Sequence, residues 1–199
     1  MKTQASGFLK GVILCLITVI LWGVLPIALK MALPFIDVYG VAWFRFAFSA
    51  IGLNLLIGAR KKHFFSIYKK PPLSSIIASI ALAANYVCYF KGVEYLSPTS
   101  AQVLIQCSPI FLVILSLIIL KEQMKVIQYV GLGCTLSGFI LFYKDQIPNI
   151  LNELHTYNLG IIWVIIGGFT WAIYVLLQKK LVDNYAPQKV NLIIYSVAA

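Results

Sequence analysis

The stretch GVILCLITVILWGVLPIAL, residues 11–29, contains 19 residues without a charge and lies between Lys10 and Lys30. As a helix that rises about 1.5 Å per residue, it nearly spans a hydrocarbon core of about 30 Å. The stretch is too long for the apolar core of a signal peptide, and no small-residue cleavage site follows it. The sequence therefore predicts that the chain begins with a permanent transmembrane helix.

Six further apolar runs follow the first one. They are Val38–Ala59, Leu73–Phe90, Pro98–Leu120, Val126–Tyr143, Leu159–Gln178 and Val190–Ala199. All but the last are long enough to cross a bilayer, whereas a run of about ten residues makes only about 15 Å of helix. We therefore predict an all-α integral membrane protein, a helical bundle whose last helix is cut short. The reading frame is expected to continue for roughly 90–110 residues.

The composition agrees with a membrane protein and excludes a nucleic-acid-binding one. Apolar residues make up 61% of the chain, charged residues 11%, and the mean hydropathy is +0.90, against about 45–50% and about 25% in soluble domains. The net charge of +10 comes from short basic patches between the apolar runs, which form no single basic face. The expected partners are a small-molecule substrate and the lipid bilayer, with a homodimer left open.

The sequence carries no pattern typical of an enzyme, a cofactor site or a metal site. His63 and His155 lie far apart in polar connections, and there is no Walker A loop, HExxH motif or mid-membrane carboxylate. Four cysteines sit singly in apolar runs, where we interpret them as small buried hydrophobic residues. They are Cys15, Cys88, Cys107 and Cys134.

The distribution of charge predicts the orientation in the membrane. The second connection alone carries five positive charges: Arg60, Lys61, Lys62, Lys69 and Lys70. The N-terminal segment and the second, fourth and sixth connections together sum to +10, whereas the connections on the other side sum to −1. Positive charge stays in the cytoplasm, so we predict a multi-pass protein of the inner or plasma membrane with a cytoplasmic N-terminus.

The first and sixth runs share a pattern that indicates an internal repeat. Gly11, Trp22 and Lys30 recur 149 residues later as Gly160, Trp171 and Lys179. Because this offset follows five helices, an odd number, the second unit would be inverted in the membrane, as in alternating-access transporters. We therefore predict inverted five-helix repeats: a first unit at residues 1–145, an extracytoplasmic linker at 146–158 and a truncated second unit at 159–199.

The fourth run is the strongest indication of a substrate site. Pro109 lies in its middle, where a proline removes a backbone hydrogen bond and frees the carbonyl of Ile105. In lipid that carbonyl needs another partner or must line a wet cavity. Gln102 and Gln106 lie one turn apart just before the proline and share a face. They are substrate contacts or interhelical hydrogen bonds, and the pattern does not choose between these roles.

Residues on three other helices extend this predicted site. Asn85 and Tyr89 lie one turn apart on the third run, with Tyr86 beside them, and Trp22 and Trp171 lie too deep for an interfacial aromatic belt. The candidate substrate-binding set is Gln102, Gln106, Asn85, Tyr89, Trp22, Trp171 and Tyr174. The alternative for each is interhelical hydrogen bonding or plain packing.

Arg45 is the one charge well inside an apolar run, about 10 Å beyond the start of the second helix. A charge at this depth is a functional candidate, but the side chain could instead reach outward or pair with Glu94 or Asp37. On the fifth run, the small residues Gly131, Cys134, Thr135 and Gly138 predict close helix packing.

Several stretches resemble the EamA-type branch of the drug/metabolite transporter superfamily. They are WGVLPIALK (22–30), the Phe44-Arg45-Phe46 element, YFKGVEYLSPTSAQVLIQCSPIF (89–111), LKEQ (120–123) and GLGCTLSGFIL (131–141). The resemblance implies ten helices in two inverted units around a central cavity, and transport of amino acids, nucleotide sugars, sugar phosphates or other metabolites. It also implies that Arg45 is the family's second-helix Arg and that Glu122 is its loop-end Glu, with a structural or charge role.

We therefore predict a secondary transporter, an exporter of amino acids or similar small metabolites that works by alternating access. A flippase-type carrier of lipid-linked substrates is the first alternative, and it would need a lateral opening to lipid. A non-transporting membrane scaffold is the second, and it predicts that all the intramembrane polar groups are satisfied between helices.

Overall fold

Long apolar helices build the structure, a computed structural model that describes residues 2–58, 71–121, 123–144 and 156–199. These residues form eight α-helices and no strand: α1 Lys2–Ala32, α2 Val38–Gly58, α3 Leu73–Tyr95, α4 Pro98–Leu104, α5 Cys107–Leu115, α6 Val126–Tyr143, α7 Thr156–Val182 and α8 Pro187–Ala198. Six spans in this part of the chain are long and apolar enough to cross a membrane, at 11–32, 38–56, 73–95, 98–120, 126–143 and 157–182. The prediction of an all-α integral membrane bundle is confirmed.

The fourth predicted helix is a broken one. Ser97 caps α4 by accepting a hydrogen bond from the Ser100 N–H, and Pro98 occupies the first turn. The helix stops at Leu104, turns at Ile105 and Gln106, and restarts as α5. A short π-helical turn, Ser116–Leu120, completes the span. The Ile105 N–H still bonds the Ala101 carbonyl at 3.0 Å, but the Gln106 N–H bonds the Val103 carbonyl at 3.1 Å in a tighter turn. The regular helix is therefore interrupted in the middle of the span, as in the discontinuous helices of transporter binding sites.

The α3–α7 pair is the centre of the bundle, and glycine makes its close contact possible. A Cβ atom added at Gly167 would lie 3.2 Å from the backbone nitrogen of Tyr89 and 3.4 Å from the carbonyl oxygen of Asn85. At Gly160 an added Cβ would lie 2.7 Å from Cγ of Leu96. Small residues at such points let two helix backbones approach each other. The third and sixth spans, α3 and α7, therefore pack directly against each other.

Two apolar clusters hold the helices at opposite ends of the bundle. The first comprises Leu29, Val38, Ala42, Tyr89, Phe90, Val93, Leu96, Ala101 and Val164. The second comprises Phe46, Ala78, Ala81, Leu82, Tyr174, Leu181, Val190 and Ile194. Since α1 ends at the first cluster, close to Lys30, we call this side of the bundle the Lys30 end. We call the other side the Pro72 end, because α3 begins there.

The close packing expected at the small residues on α6 is not seen in the described part of the chain. A Cβ added at Gly131 or Gly138 would have no neighbour within 4 Å. The opposite, bulky side of α6 faces α5 instead, across an apolar groove that contains Leu136, Phe139, Ile140 and Tyr143. These four positions follow helical spacing along one face, so α6 approaches the bundle through large side chains.

Other predictions on buried and connecting residues have mixed outcomes. Cys88 is buried and Cys107 half-buried, but Cys15 and Cys134 are exposed on the bundle surface, so our interpretation of these two as buried is wrong. The predicted boundary of the sixth helix is also late, since α7 begins at Thr156. The basic connection at 59–70, Glu122 and most of the predicted linker lie outside the described residues.

Candidate functional site

A cavity of about 220 Å³ lies where the two apolar clusters meet, in the middle of the bundle. Residues of α1, α3, α4, α5, α7 and α8 and of the turn between α4 and α5 form its wall. They are Trp22, Leu25, Leu82, Asn85, Tyr86, Tyr89, Phe90, Gln102, Ile105, Gln106, Ser108, Pro109, Trp171, Tyr174 and Tyr195. The volume is just below the range of about 300–1,000 Å³ that is usual for drug-sized ligands. The cavity therefore suits a small solute.

All seven residues predicted to bind substrate lie in this wall. They come from four separate segments of the chain, and the fold brings these segments together around one cavity. Their contact with a substrate stays a prediction, because the wall defines only where a solute would fit. The two residues given a charge role are not in the wall: Arg45 lies behind it, and Glu122 lies outside the described residues.

Three of the polar wall residues are already engaged between helices. The Asn85 side-chain amide donates to the Gly167 carbonyl oxygen at 2.8 Å, which ties α3 to α7. The Tyr89 hydroxyl donates to Oε1 of Gln102 at 2.8 Å, which ties α3 to α4. Interhelical bonding, the alternative considered for these positions, is therefore present. It also fixes the orientation of the groups that face the cavity.

Gln106 differs from these three residues. It occupies the turn between α4 and α5, its side chain is exposed to the cavity, and no hydrogen-bond partner for that side chain occurs among the described residues. An amide has two donors and one acceptor. Gln106 therefore offers a full set of hydrogen-bonding atoms to a molecule inside the cavity.

The Ile105 carbonyl has another hydrogen-bond partner, which is the first of the two alternatives predicted for it. Ser108 donates to this oxygen twice, through its backbone N–H at 2.9 Å and its hydroxyl at 2.5 Å. The turn at Ile105–Gln106 brings Ser108 within reach, and a serine hydroxyl commonly bonds a nearby carbonyl in this way. The broken helix is thus satisfied from within the chain, and the open hydrogen-bonding capacity of this region lies on Gln106.

Aromatic rings form much of the remaining wall. Trp22 on α1 is 56% exposed, whereas Tyr174 on α7 is buried. The Tyr86 ring packs edge-on against Phe46 at 4.9 Å and Phe90 at 5.5 Å between centroids. Edge-to-face packing of this kind restricts ring motion and stabilises the wall by about 0.5–1.5 kcal/mol per pair. The aromatic wall is therefore rigid on its α3 side.

Arg45 stacks on the outside of this aromatic wall. Its guanidinium carbon lies 5.0 Å from the ring centroid of Tyr86 and 5.8 Å from that of Phe90, and Nη2 lies 3.5 Å from the Tyr86 hydroxyl. The pairing considered with Glu94 or Asp37 is not seen. The Glu94 carboxylate binds Lys91 at 2.9 Å, and Asp37 accepts from the N–H groups of the first turn of α2.

The wall has polar groups but no formal charge in the part of the chain that the structure describes. Amide, phenol, hydroxyl and indole groups surround the cavity, and the Arg45 guanidinium stacks on two of its aromatic rings from outside. No group of three or more potential metal ligands occurs among the described residues. A neutral or zwitterionic solute suits such a site, because a full net charge would lose its hydration without an ionic partner.

The sequence analysis missed Tyr195, which reaches the wall from α8. The signal was present, since Tyr195 lies 149 residues after Phe46, the same offset that relates Trp22 to Trp171. In the structure the rings of Phe46 and Tyr195 lie 6.4 Å apart. The apolar wall residues Leu25, Leu82 and Phe90 carry no distinguishing sequence signal.

Comparison with known proteins places the chain among membrane transporters. The uncharacterized inner membrane transporter YhbE of Escherichia coli strain K12 is 32% identical over 200 residues, which cover 99% of this chain and 61% of YhbE. An uncharacterized transporter of Haemophilus influenzae is 31% identical over 189 residues, covering 94% of this chain and 61% of that protein. A probable amino-acid metabolite efflux pump of Escherichia coli strain K12 is 23% identical over 194 residues, covering 94% and 60%.

The chain thus spans about three-fifths of the length of these relatives. No solved structure matches it. The sequence profile of the EamA-like transporter family matches residues 9–144. That match extends from α1 to the end of α6 and carries the tryptophan, the broken fourth span and both glutamines, so the chain belongs to the EamA-like transporter family.

Proposed function

We propose that this protein is a secondary transporter that exports small neutral or zwitterionic metabolites, of which amino acids are the leading class. The observation that carries the proposal is Gln106, a membrane-depth amide that faces the cavity and has no partner among the described residues. A scaffold would need its intramembrane polar groups satisfied between helices. Similarity to the probable amino-acid metabolite efflux pump of Escherichia coli supports export of amino-acid metabolites.

The proposed mechanism is alternating access about the central cavity. The first unit, residues 1–145, and the inverted second unit that begins near residue 159 would rock against each other. Two pairs of residues at the 149-residue offset support this arrangement. Trp22 and Trp171 line the same cavity, and Phe46 and Tyr195 are ring neighbours. A cavity surrounded by repeat-related residues is the expected site of such a carrier.

One observation favours a carrier of lipid-linked substrates as the second candidate. An apolar groove of about 530 Å³ runs between α5 and α6, with Lys144 at one end. A lipid tail would fit such a groove, whereas a polar solute would not. Ile140→Trp, which fills the groove, would then abolish flipping of a fluorescent lipid-linked sugar in proteoliposomes. Under the leading proposal it leaves amino-acid transport unchanged.

The proposed orientation places the N-terminus in the cytoplasm and the Lys30 end outside. We expect Ser66→Cys, in the basic connection, to resist an impermeant maleimide added to intact cells and to react in inverted vesicles, because five positive charges hold that connection inside. Phe35→Cys is the matched control, since Phe35 is exposed at the Lys30 end and should show the opposite pattern. Both variants are made in a background without native cysteines. Labelling of Ser66→Cys from outside would contradict the orientation.

A further inference from the structure

Lys30, at the end of α1, binds the end of α3. Its ammonium group donates to three backbone carbonyl oxygens at the end of α3: Val93 at 2.8 Å, Glu94 at 2.7 Å and Leu96 at 3.0 Å. An ammonium group has three donors, so all of them are used. The acceptors lie 63 to 66 residues away in sequence. The contact therefore joins two distant segments of the chain.

The last carbonyls of a helix have no partner within the helix. A cation at this position both bonds them and complements the negative end of the helix dipole. Lys30 is thus the group that completes the end of α3.

The contact also fixes three helices that carry wall residues of the cavity. Lys30 is eight residues after Trp22 on α1. Trp22, at the start of the WGVLPIALK stretch, lines the cavity, and Lys30, at its end, makes the contact with α3. On α3, the bonded turn follows Tyr89. The third acceptor, Leu96, directly precedes Ser97, which caps α4 and so sets the position of Gln102. The first apolar cluster lies between the contact and the cavity.

We propose that Lys30 is a positioning residue that holds the Lys30 end of the cavity closed by fixing α1 to the α3–α4 junction. This inference rests on the proposed transport function and orientation, under which the Lys30 end faces outside. Opening the cavity to the outside then requires the three hydrogen bonds to break. Loss of the ammonium group lets α1 move away from α3 and exposes the cavity to external water.

A neighbouring lysine provides a matched control. Lys91 lies on the last turns of α3 at the same end, but it pairs with the Glu94 carboxylate on the surface at 2.9 Å. A surface ion pair of this kind contributes little to stability. Lys91→Met therefore removes a positive charge from the same end of the bundle and leaves the three bonds of Lys30 intact.

The test measures how fast external reagent reaches the cavity, with no substrate needed. Leu25→Cys places a reporter in the cavity wall on α1, in the full-length protein without its native cysteines. An impermeant methanethiosulfonate is added to intact cells and, separately, to inverted vesicles. We expect Lys30→Met to raise the external labelling rate about tenfold and Lys91→Met to change it less than about twofold, in line with several hydrogen bonds against one surface pair.

Two outcomes would overturn the proposal. One is an unchanged external rate in a Lys30→Met protein that elutes as a single peak in size-exclusion chromatography. The other is a rate increase confined to inverted vesicles. If Lys30→Met does not fold, Lys30→Gln decides, because its amide keeps two donors: an intermediate external rate supports the proposal, and the native rate overturns it. Absence of amino-acid transport in the native protein would instead contradict the proposed function alone.

Discussion

Gln106→Leu is expected to lower transport about tenfold or more while leaving the amount of folded protein unchanged. Leucine has a similar volume but offers no donor or acceptor, and losing a hydrogen bond to a desolvated solute costs about 1–3 kcal/mol, where about 1.4 kcal/mol corresponds to tenfold. The bundle itself loses nothing, since the Gln106 side chain has no partner among the described residues. Uptake of radiolabelled neutral amino acids into inverted vesicles measures the effect, in the protein expressed from its full gene.

Gln188→Leu is the matched control, because Gln188 is exposed in the first turn of α8 and lies outside the cavity wall. It should transport at the native rate. Normal transport by Gln106→Leu would remove the main support for the proposed function. Loss of transport that comes only with loss of folded protein would assign Gln106 to packing, which the present geometry does not predict.

The helices themselves could be predicted from sequence because a bilayer imposes a length. A helix must supply about 20 apolar residues to cross it, and all six predicted spans occur in the structure with boundaries shifted by a few residues. The distribution of positive charge between the connections likewise predicts the orientation of the helices in the membrane. Neither signal depends on which helices are neighbours, so neither could reveal the α3–α7 pair at the centre of the bundle.

The small-residue signal illustrates this limit. Gly131 and Gly138 on α6 gave the expected pattern for close packing, yet nothing approaches them in the described part of the chain. The contacts occur at Gly160 and Gly167 on α7, which meet α3. A stripe of small residues indicates that a helix permits close approach. Whether another helix packs there depends on the surface of that second helix, which the stripe does not reveal.

The sequence also grouped residues that line one cavity in the structure, whereas their contact with a substrate stays a prediction. Pro109 correctly marked the interruption of the fourth span. The carbonyl of Ile105 is nevertheless satisfied, because the turn lets Ser108 bond it through two donors. Local satisfaction of this kind depends on the dihedral angles of two residues, which composition and spacing do not determine. The unused hydrogen-bond donors and acceptor of this region are therefore on the Gln106 side chain, and not on the Ile105 carbonyl.

Gly167→Val is expected to destabilise the whole bundle, because a side chain there has no room. Even a single Cβ at Gly167 would lie 3.2 Å from the backbone nitrogen of Tyr89, and the backbone cannot move without separating α3 from α7. Overpacking costs about 1–3 kcal/mol, and at about 2–4 °C per kcal/mol for a chain of this size the melting temperature should fall by roughly 2–12 °C. Thermal unfolding followed by fluorescence-detected size exclusion in detergent measures the shift.

The separation should also break the bond from Asn85 to the Gly167 carbonyl, so transport is expected to fail together with stability. Gly133→Val makes the same change on α6, where an added Cβ has no neighbour within 4 Å. Both glycines lie inside helices, so the two variants carry the same change in helix propensity, and the difference between their melting temperatures reports packing alone. Equal melting temperatures would mean that α3 and α7 do not approach each other as closely as this geometry requires.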